Sequence, residues 1–190
     1  MDKLDSNFYK KTLRPNRQRS YKLLAKAIAA FLEPTSVVDY GCGAGWVLFY
    51  LYRRGVIDLR GYEPNHAMES VIDQNVLDSV EFKSLADEIA PNRRFDLAVS
   101  LEVVEHIDKK YSGIAIENIC RSTGQVMFSA APPGQGGVGH VNEQPFEYWQ
   151  ELFGNNGFSL NKSLTDKVRG YLKKKNSIKW YSKNIRILDK

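Results

Sequence analysis

Residues 37–48, VVDYGCGAGWVL, decide the fold. An apolar run ends in a carboxylate, a glycine-rich turn follows, and apolar residues resume at once. The run reads as a short strand and the resumption as a helix. The three glycines between them let the backbone turn sharply and approach a ligand closely. The helix start offers N–H groups to that ligand. Strand, tight turn and helix in this order form a nucleotide-cofactor arrangement. The spacing is Gly-x-Gly-x-Gly, not the Gly-x-Gly-x-x-Gly of a pyrophosphate site. Asp39 also stands two residues before the first glycine. A buried carboxylate there repels a pyrophosphate and attracts a cation, which disfavours a dinucleotide-dependent dehydrogenase.

Strand and helix signals alternate outward from this stretch. Residues 16–33 carry Tyr21, Leu24, Ala25, Ile28 and Leu32 at helical spacing, and Pro34 stops them. Residues 36–40 are the first strand, and a helix over 46–54 ends at Gly55. Strands follow at 59–63, 80–83, 95–101 and 125–131, with a helix opened by Pro64, another ending at 117–121, and a third over 145–155 ended by Gly157. Residues 158–164 and 180–188 read as a terminal antiparallel pair, with the basic stretch 165–177 unassigned. Seven strands interleaved with helices predict an α/β fold: a doubly wound, mostly parallel sheet with an antiparallel last strand. There is no internal repeat.

The length of 190 residues predicts one domain. It divides into an N-terminal helical cap (1–35), a cofactor-binding core (36–131), and an acceptor-side loop, helix and terminal strand pair (132–190). With 43% hydrophobic and 26% charged residues, the composition is that of a globular protein. No stretch is long and apolar enough to span a membrane, and residues 1–15 are too polar for a signal peptide. The expected location is cytoplasmic, which suits two free thiols at Cys42 and Cys120. The net charge of +5 is concentrated towards both ends. It would attract anionic partners, nucleic acid among them, but is modest beside typical nucleic-acid binders; a solubilising surface is the plainer reading. No oligomeric state follows from the sequence.

Three motifs in order carry a family resemblance: DYGCGAG (39–45), GYEPN (61–65) and FDLAVSLEVVEHI (95–107). Residues 37–107 resemble the core of class I, Rossmann-like S-adenosylmethionine-dependent methyltransferases, small single-domain bacterial members above all. The resemblance implies methyl transfer with S-adenosylmethionine as cofactor. It implies that Gly41, Gly43 and Gly45, with Cys42 between them, line the methionine part and that Asp39 holds its amino end. Glu63, followed by Pro64, would take the ribose hydroxyls. Leu85 and Ala86 would flank the adenine, and Ser100 and Leu101 would touch the cofactor at the end of the fourth strand. Tyr40 and Trp46 read as packing residues, with Trp46 also placed to wall the pocket, and His66 reads as surface.

Methyl transfer is an in-line displacement in which the enzyme aligns the nucleophile and excludes water. A hydroxyl acceptor also needs a base or a metal. Titratable groups beyond the fourth and fifth strands are therefore the acceptor-side candidates: Glu105, His106 and His140. With Glu102 they also resemble the metal-binding set of small-RNA 2′-O-methyltransferases, and some ubiquinone-pathway O-methyltransferases carry a similar Glu-x-x-Glu-His. Such a shell suits manganese, iron or zinc better than magnesium. Many metal-free class I methyltransferases carry EVLEHV here, so a divalent metal is not favoured. The glycine-rich loop APPGQGGVGHVNEQP reads as a gate where acceptors enter. Tyr9, Arg14, Arg17 and Tyr21 are placed to cap the site. HVNEQPFEYWQELFGNNGF and WYSKNIRIL resemble small methyltransferases of secondary metabolism and surface-sugar modification. The implied acceptor is an oxygen, before a nitrogen, of a small polar metabolite or glycan. Two rivals stand: a metal-dependent RNA 2′-O-methyltransferase, which would need a stacking platform the sequence does not show, and a cofactor-binding partner subunit without catalysis.

Overall fold

Strand β1 (Ser36–Tyr40) is buried at all five positions, and its side chains feed two apolar layers in alternation. Val37 packs with Leu97, Val99, Met127 and Ile187 on one face. Val38 and Tyr40 pack with Ala98, Val126, Phe128 and Leu188 on the other. This period-two alternation is what a sheet covered on both faces requires. The computed structural model describes residues 14–190, so Tyr9 of the expected cap lies outside the described residues.

Seven strands form one sheet in the order β3-β2-β1-β4-β5-β7-β6. They are β1, β2 (Asp58–Tyr62), β3 (Val80–Glu81), β4 (Leu97–Leu101), β5 (Gln125–Ser129), β6 (Ser159–Leu160) and β7 (Arg186–Asp189). The pairs β1–β2, β1–β4, β2–β3 and β4–β5 are parallel. Only β7 runs the other way, antiparallel to both β5 and β6. One face carries α1 (Pro15–Phe31), α2 (Trp46–Tyr52), α3 (Gln74–Leu77), α6 (Lys162–Lys174) and α7 (Lys179–Asn184). The other carries α4 (Ser112–Arg121) and α5 (Phe146–Asn155). The expected α/β sheet with a reversed last strand is therefore the observed one. Among the described residues no helix is long and apolar enough to cross a membrane, and Cys42 and Cys120 are unpaired thiols.

The elements differ from expectation in three places. Pro64 does not open a helix. A single 3₁₀ turn, His66–Met68, follows instead, capped by Asn65, and α3 begins only at Gln74, where the Asp73 carboxylate accepts from Asn75 N. The expected strand 158–164 shrinks to two residues, because Asn161 accepts from Leu164 N at 2.9 Å and starts α6. Within α6, Val168 and Leu172 bury one face while lysines cover the other, a helical period hidden under a high lysine count. The expected strand 180–188 is α7 followed by the shorter β7. Trp180 and Tyr181 are thereby carried on a helix.

One buried side chain fixes the stretch between β3 and β4. Asn118 of α4 is fully buried. Its Oδ1 accepts from Ile89 N at 2.9 Å, and its Nδ2 donates to the carbonyls of Leu85 (3.2 Å) and Asp87 (2.7 Å). Tyr40 Oη donates to the Asn118 carbonyl at 2.9 Å, tying the same helix to β1. Asn118→Leu takes the side-chain partner from two buried backbone groups, Ile89 N and the Leu85 carbonyl, and from the partly buried Asp87 carbonyl, and is expected to lower the unfolding free energy by on the order of 2 kcal/mol. Urea unfolding measures this, and an unchanged midpoint would remove Asn118 as the anchor.

Candidate active site

A cavity of about 700 Å³ opens at the carboxyl ends of β1, β2 and β4, where open α/β sheets hold their ligands. One end is walled by Asp39, the turn 41–44, Glu63 and Pro64. The other is walled by 101–103, His106 and the loop 135–140. Helices α1 and α7 close a side with Arg17, Tyr21, Trp180 and Tyr181.

The turn has the shape it has because position 41 lacks a side chain. Gly41 sits at φ +79°, and a Cβ there would lie 2.5 Å from both methyl carbons of Val103. Gly41 N and Cys42 N both donate to the Tyr62 carbonyl, at 2.8 and 3.1 Å, so the turn hangs on the end of β2. Glu63 clamps it from the same side. Its Oε2 accepts from Gly43 N and its Oε1 from Asn65 N, each at 2.9 Å. Burial raises the Glu63 carboxyl above its usual range, and the two amide donors pull it back.

Asp39 is 4% exposed. Burial first, and the neighbouring Glu63 charge second, push its carboxyl from 3.8 up to about 7. Among the described residues no basic group counters either carboxylate. The end of the cavity is therefore acceptor-rich and suited to a ligand that brings a cation and hydroxyl donors. Burial, then the two carboxylates, also hold the Cys42 thiol well above its ordinary value. A thiol so placed is disfavoured as a thiolate.

Of the residues singled out in the sequence, Asp39, Gly41, Cys42, Gly43, Glu63, Pro64 and Leu101 all line the cavity, with Trp46 and the exposed His66 beside them. Gly45 caps α2, facing Ile72 and Val76. Ser100 is fully buried. The alternation along β4 turns it to the face of Ala98, away from Leu101. Leu85 is buried in the layer under α4 and α5, with Ala86 packed against it, and neither is in the cavity lining. Arg14 precedes α1 and is exposed, whereas Arg17 and Tyr21 reach the cavity. The Arg17 guanidinium lies 5.4 Å from the centroid of Trp180.

On the acceptor side, Glu105 is fully buried. Its Oε1 accepts from Ala131 N at 3.3 Å, and its Oε2 has no partner. Burial, then the Glu102 charge, push this carboxyl well above its ordinary range. His106 Nδ1 lies 3.2 Å from the Gly139 carbonyl and His140 Nδ1 2.7 Å from Glu143 Oε1. The two rings meet edge to face at 4.9 Å. Burial lowers the His106 imidazole. One ligand atom each from Glu105, His106 and His140 fall within 4.8 Å of one another. Such a set fits a borderline divalent ion, and histidine ligands usually engage their other ring nitrogen as these do. Glu102 is not in that group. It holds a left-handed φ of +57°, and its carboxylate accepts from Gln135 Nε2 and Asn184 Nδ2 at 2.8 and 3.3 Å.

The sequence did not single out Val103, Gln135, Glu143, Trp180 or Asn184. For Trp180 and Asn184 the misread strand hid the signal; the others act through loop geometry that no local period reports.

The buried charge at Asp39 has a testable consequence. Its folded value near 7 exceeds the unfolded 3.8. The stabilisation from holding its proton is complete below about 3.8 and lost as the pH rises through 7. Asp39→Asn is expected to raise the melting temperature of the ligand-free protein by several degrees at mildly alkaline pH, and by progressively less towards about pH 4. A gain independent of pH would show that the buried charge is not its cause.

The sequence profile of a methyltransferase-domain family matches residues 13–163. No curated protein matches the chain significantly. Among solved structures it resembles the magnesium protoporphyrin IX methyltransferase of Synechocystis PCC 6803 with bound S-adenosylmethionine, at 19% identity and a TM-score of 0.66, over 97% of this chain and 83% of that one. It also resembles an O-methyltransferase from a polyketide multienzyme of Brevibacillus brevis in complex with S-adenosylhomocysteine (17%, 0.62, 91% and 71%). A third is a sugar N-methyltransferase from Streptoalloteichus sp. ATCC 53650 (15%, 0.65, 82% and 84%). The chain belongs to the methyltransferase-domain family, in the Rossmann-like fold it shares with these S-adenosylmethionine-dependent enzymes.

Proposed function

We propose that this enzyme transfers a methyl group from S-adenosylmethionine to an oxygen, and less readily a nitrogen, of a small polar or sugar-like acceptor. One observation carries the reading: a single cavity joins the glycine turn and its two carboxylates to His140 on the acceptor loop. The donor set fits this cofactor. Asp39 would face its ammonium, the turn at Gly41, Cys42 and Gly43 would lie along its methionine part with Gly45 holding the helix start, and Glu63 beside Pro64 would accept from its ribose hydroxyls. Two buried carboxylates without a basic partner are satisfied by a ligand that is both cationic and hydroxylated. The segment of Leu85 and Ala86, pinned by Asn118, lies outside the cavity lining, so no adenine contact is assigned to it.

Bound there, the cofactor supplies a methyl carbon activated by sulfonium. His140 accepts the acceptor's proton, so that a neutral hydroxyl becomes the attacking oxygen. Leu101 and Val103 exclude water beside the turn, and Trp180 with Tyr21 offers the aromatic surface on which a ring-shaped acceptor rests. The structural neighbours range from methyltransferases named for magnesium protoporphyrin IX and a sugar to one named for 16S rRNA, so the small-molecule acceptor rests on the lining of the cavity.

Calorimetry with S-adenosylhomocysteine tests the cofactor half. The wild type is expected to bind at micromolar concentration and folded Glu63→Ala at least about tenfold more weakly, from the loss of charge-assisted hydrogen bonds. No binding by the folded wild type would overturn the reading. Transfer of labelled methyl to a panel of hydroxylated and amino acceptors tests the other half. His140→Ala is expected to slow turnover about a hundredfold with cofactor affinity unchanged. Binding without transfer to any acceptor would point to a non-catalytic cofactor-binding subunit.

The unpartnered Glu105 Oε2 beside His106 and His140 favours one second reading, a divalent ion that grips an acceptor diol such as an RNA end. Stoichiometric manganese, iron or zinc in protein purified without chelator would favour it over the base.

A further inference from the structure

The glycine-rich segment between β5 and α5 is tied down through one carboxylate. Glu143 Oε2 accepts from Gly134 N at 2.8 Å, and its Oε1 accepts from Gly136 N at 2.7 Å. The same Oε1 stands 2.7 Å from His140 Nδ1. Both oxygens of Glu143 thus already accept backbone N–H groups, so the carboxylate is the acceptor of this third bond as well and Nδ1 carries its hydrogen. In the neutral ring the lone pair then sits on Nε2.

The rest of the segment fixes where that nitrogen lies. Val141 N and Asn142 N both donate to the Glu105 carbonyl, at 2.9 and 3.1 Å, and Asn142 Nδ2 donates to Ser112 Oγ at 3.0 Å. On the other side, the Nε2 edge of His140 occupies the space a side chain at position 137 would take. A Cβ on Gly137 would lie 2.2 Å from Nε2. Both residues line the cavity.

We propose that Glu143 is the positioning residue of the acceptor side. It holds His140 in the Nδ1–H tautomer, so that Nε2 is the only ring atom able to take the acceptor's proton. With the same carboxylate it ties residues 134–136 down, so that ordering the loop and orienting the base are one event. When the proton passes from the acceptor's hydroxyl to Nε2, the resulting imidazolium faces the Glu143 carboxylate, which stabilises it. The assignment rests on His140 being the base, but its test does not.

The chain has only three histidines, His66, His106 and His140, so side-chain nitrogen NMR of labelled protein can resolve each ring, assigned by single His→Gln variants. In mildly alkaline buffer, where an ordinary imidazole is neutral, His140 is expected as the Nδ1–H tautomer, the minor form in water. In Glu143→Ala it should revert mainly to Nε2–H, and amide exchange at Gly134 and Gly136 should rise about tenfold or more. His66, whose ring stacks on Phe82, should not change. Glu143→Gln retains a carbonyl for Nδ1–H and should keep the tautomer while losing protection at Gly134. A wild-type His140 protonated on Nε2 overturns the proposal whether or not the variants fold, and so does a tautomer unchanged in Glu143→Ala. Full turnover by His140→Ala would instead remove the base role and leave the tautomer result standing.

Discussion

Two carboxylates buried at one end of a cavity, with no cation among the described residues to counter them, set the terms for the rest of this structure. Burying a charge is costly unless it is paired. Glu63 is kept tolerable by two backbone amides, and those bonds are what hold the glycine turn against the end of β2. Asp39 has no such help and rests near neutrality between its charged and uncharged forms. A cationic ligand supplies the missing charge, so binding and folding are coupled at this spot. The fold keeps an electrostatic cost that only a ligand relieves, a mark of a site selected for function and not for stability.

The acceptor end solves the opposite problem with the same residue types. Glu105, fully buried and with its carboxyl held above the ordinary range, serves the backbone of the following loop through its carbonyl. Glu143, at the edge, stays charged and gathers three donors. Glu102 adopts a left-handed backbone to reach Gln135 and Asn184. Local strain of this kind persists where the surroundings over-determine it. A loop that its glycines mark as pliable is thereby tied down by three glutamates, through the carboxylates of Glu143 and Glu102 and the backbone carbonyl of Glu105.

Much of this was legible in the chain. The strand–turn–helix of residues 36–52 is written in local patterns: a continuous apolar run, glycines where the backbone must take positive φ, and apolar residues again. The alternation along β4 also carried a signal that the family resemblance overrode. Ser100 and Leu101 are adjacent in a strand and must point to opposite faces, so both could not face one pocket. The C-terminal third was less legible. Lysines mask the apolar stripe of α6, and the aromatic pair Trp180–Tyr181 favours a strand by propensity while tertiary packing makes it a helix. The Glu143–His140 pairing was beyond reach, because three residues of spacing in an irregular loop say nothing about which side chains meet.

The central claim is that Asp39 awaits a cationic ligand in this cavity. The direct measurement is the proton balance of S-adenosylhomocysteine binding, from calorimetry near neutral pH in two buffers of different ionisation heat. If the ligand's ammonium meets Asp39, the carboxyl loses its raised value, and binding releases a substantial fraction of a proton that Asp39→Asn no longer releases. Binding without proton release, or no binding by folded protein, would contradict the account.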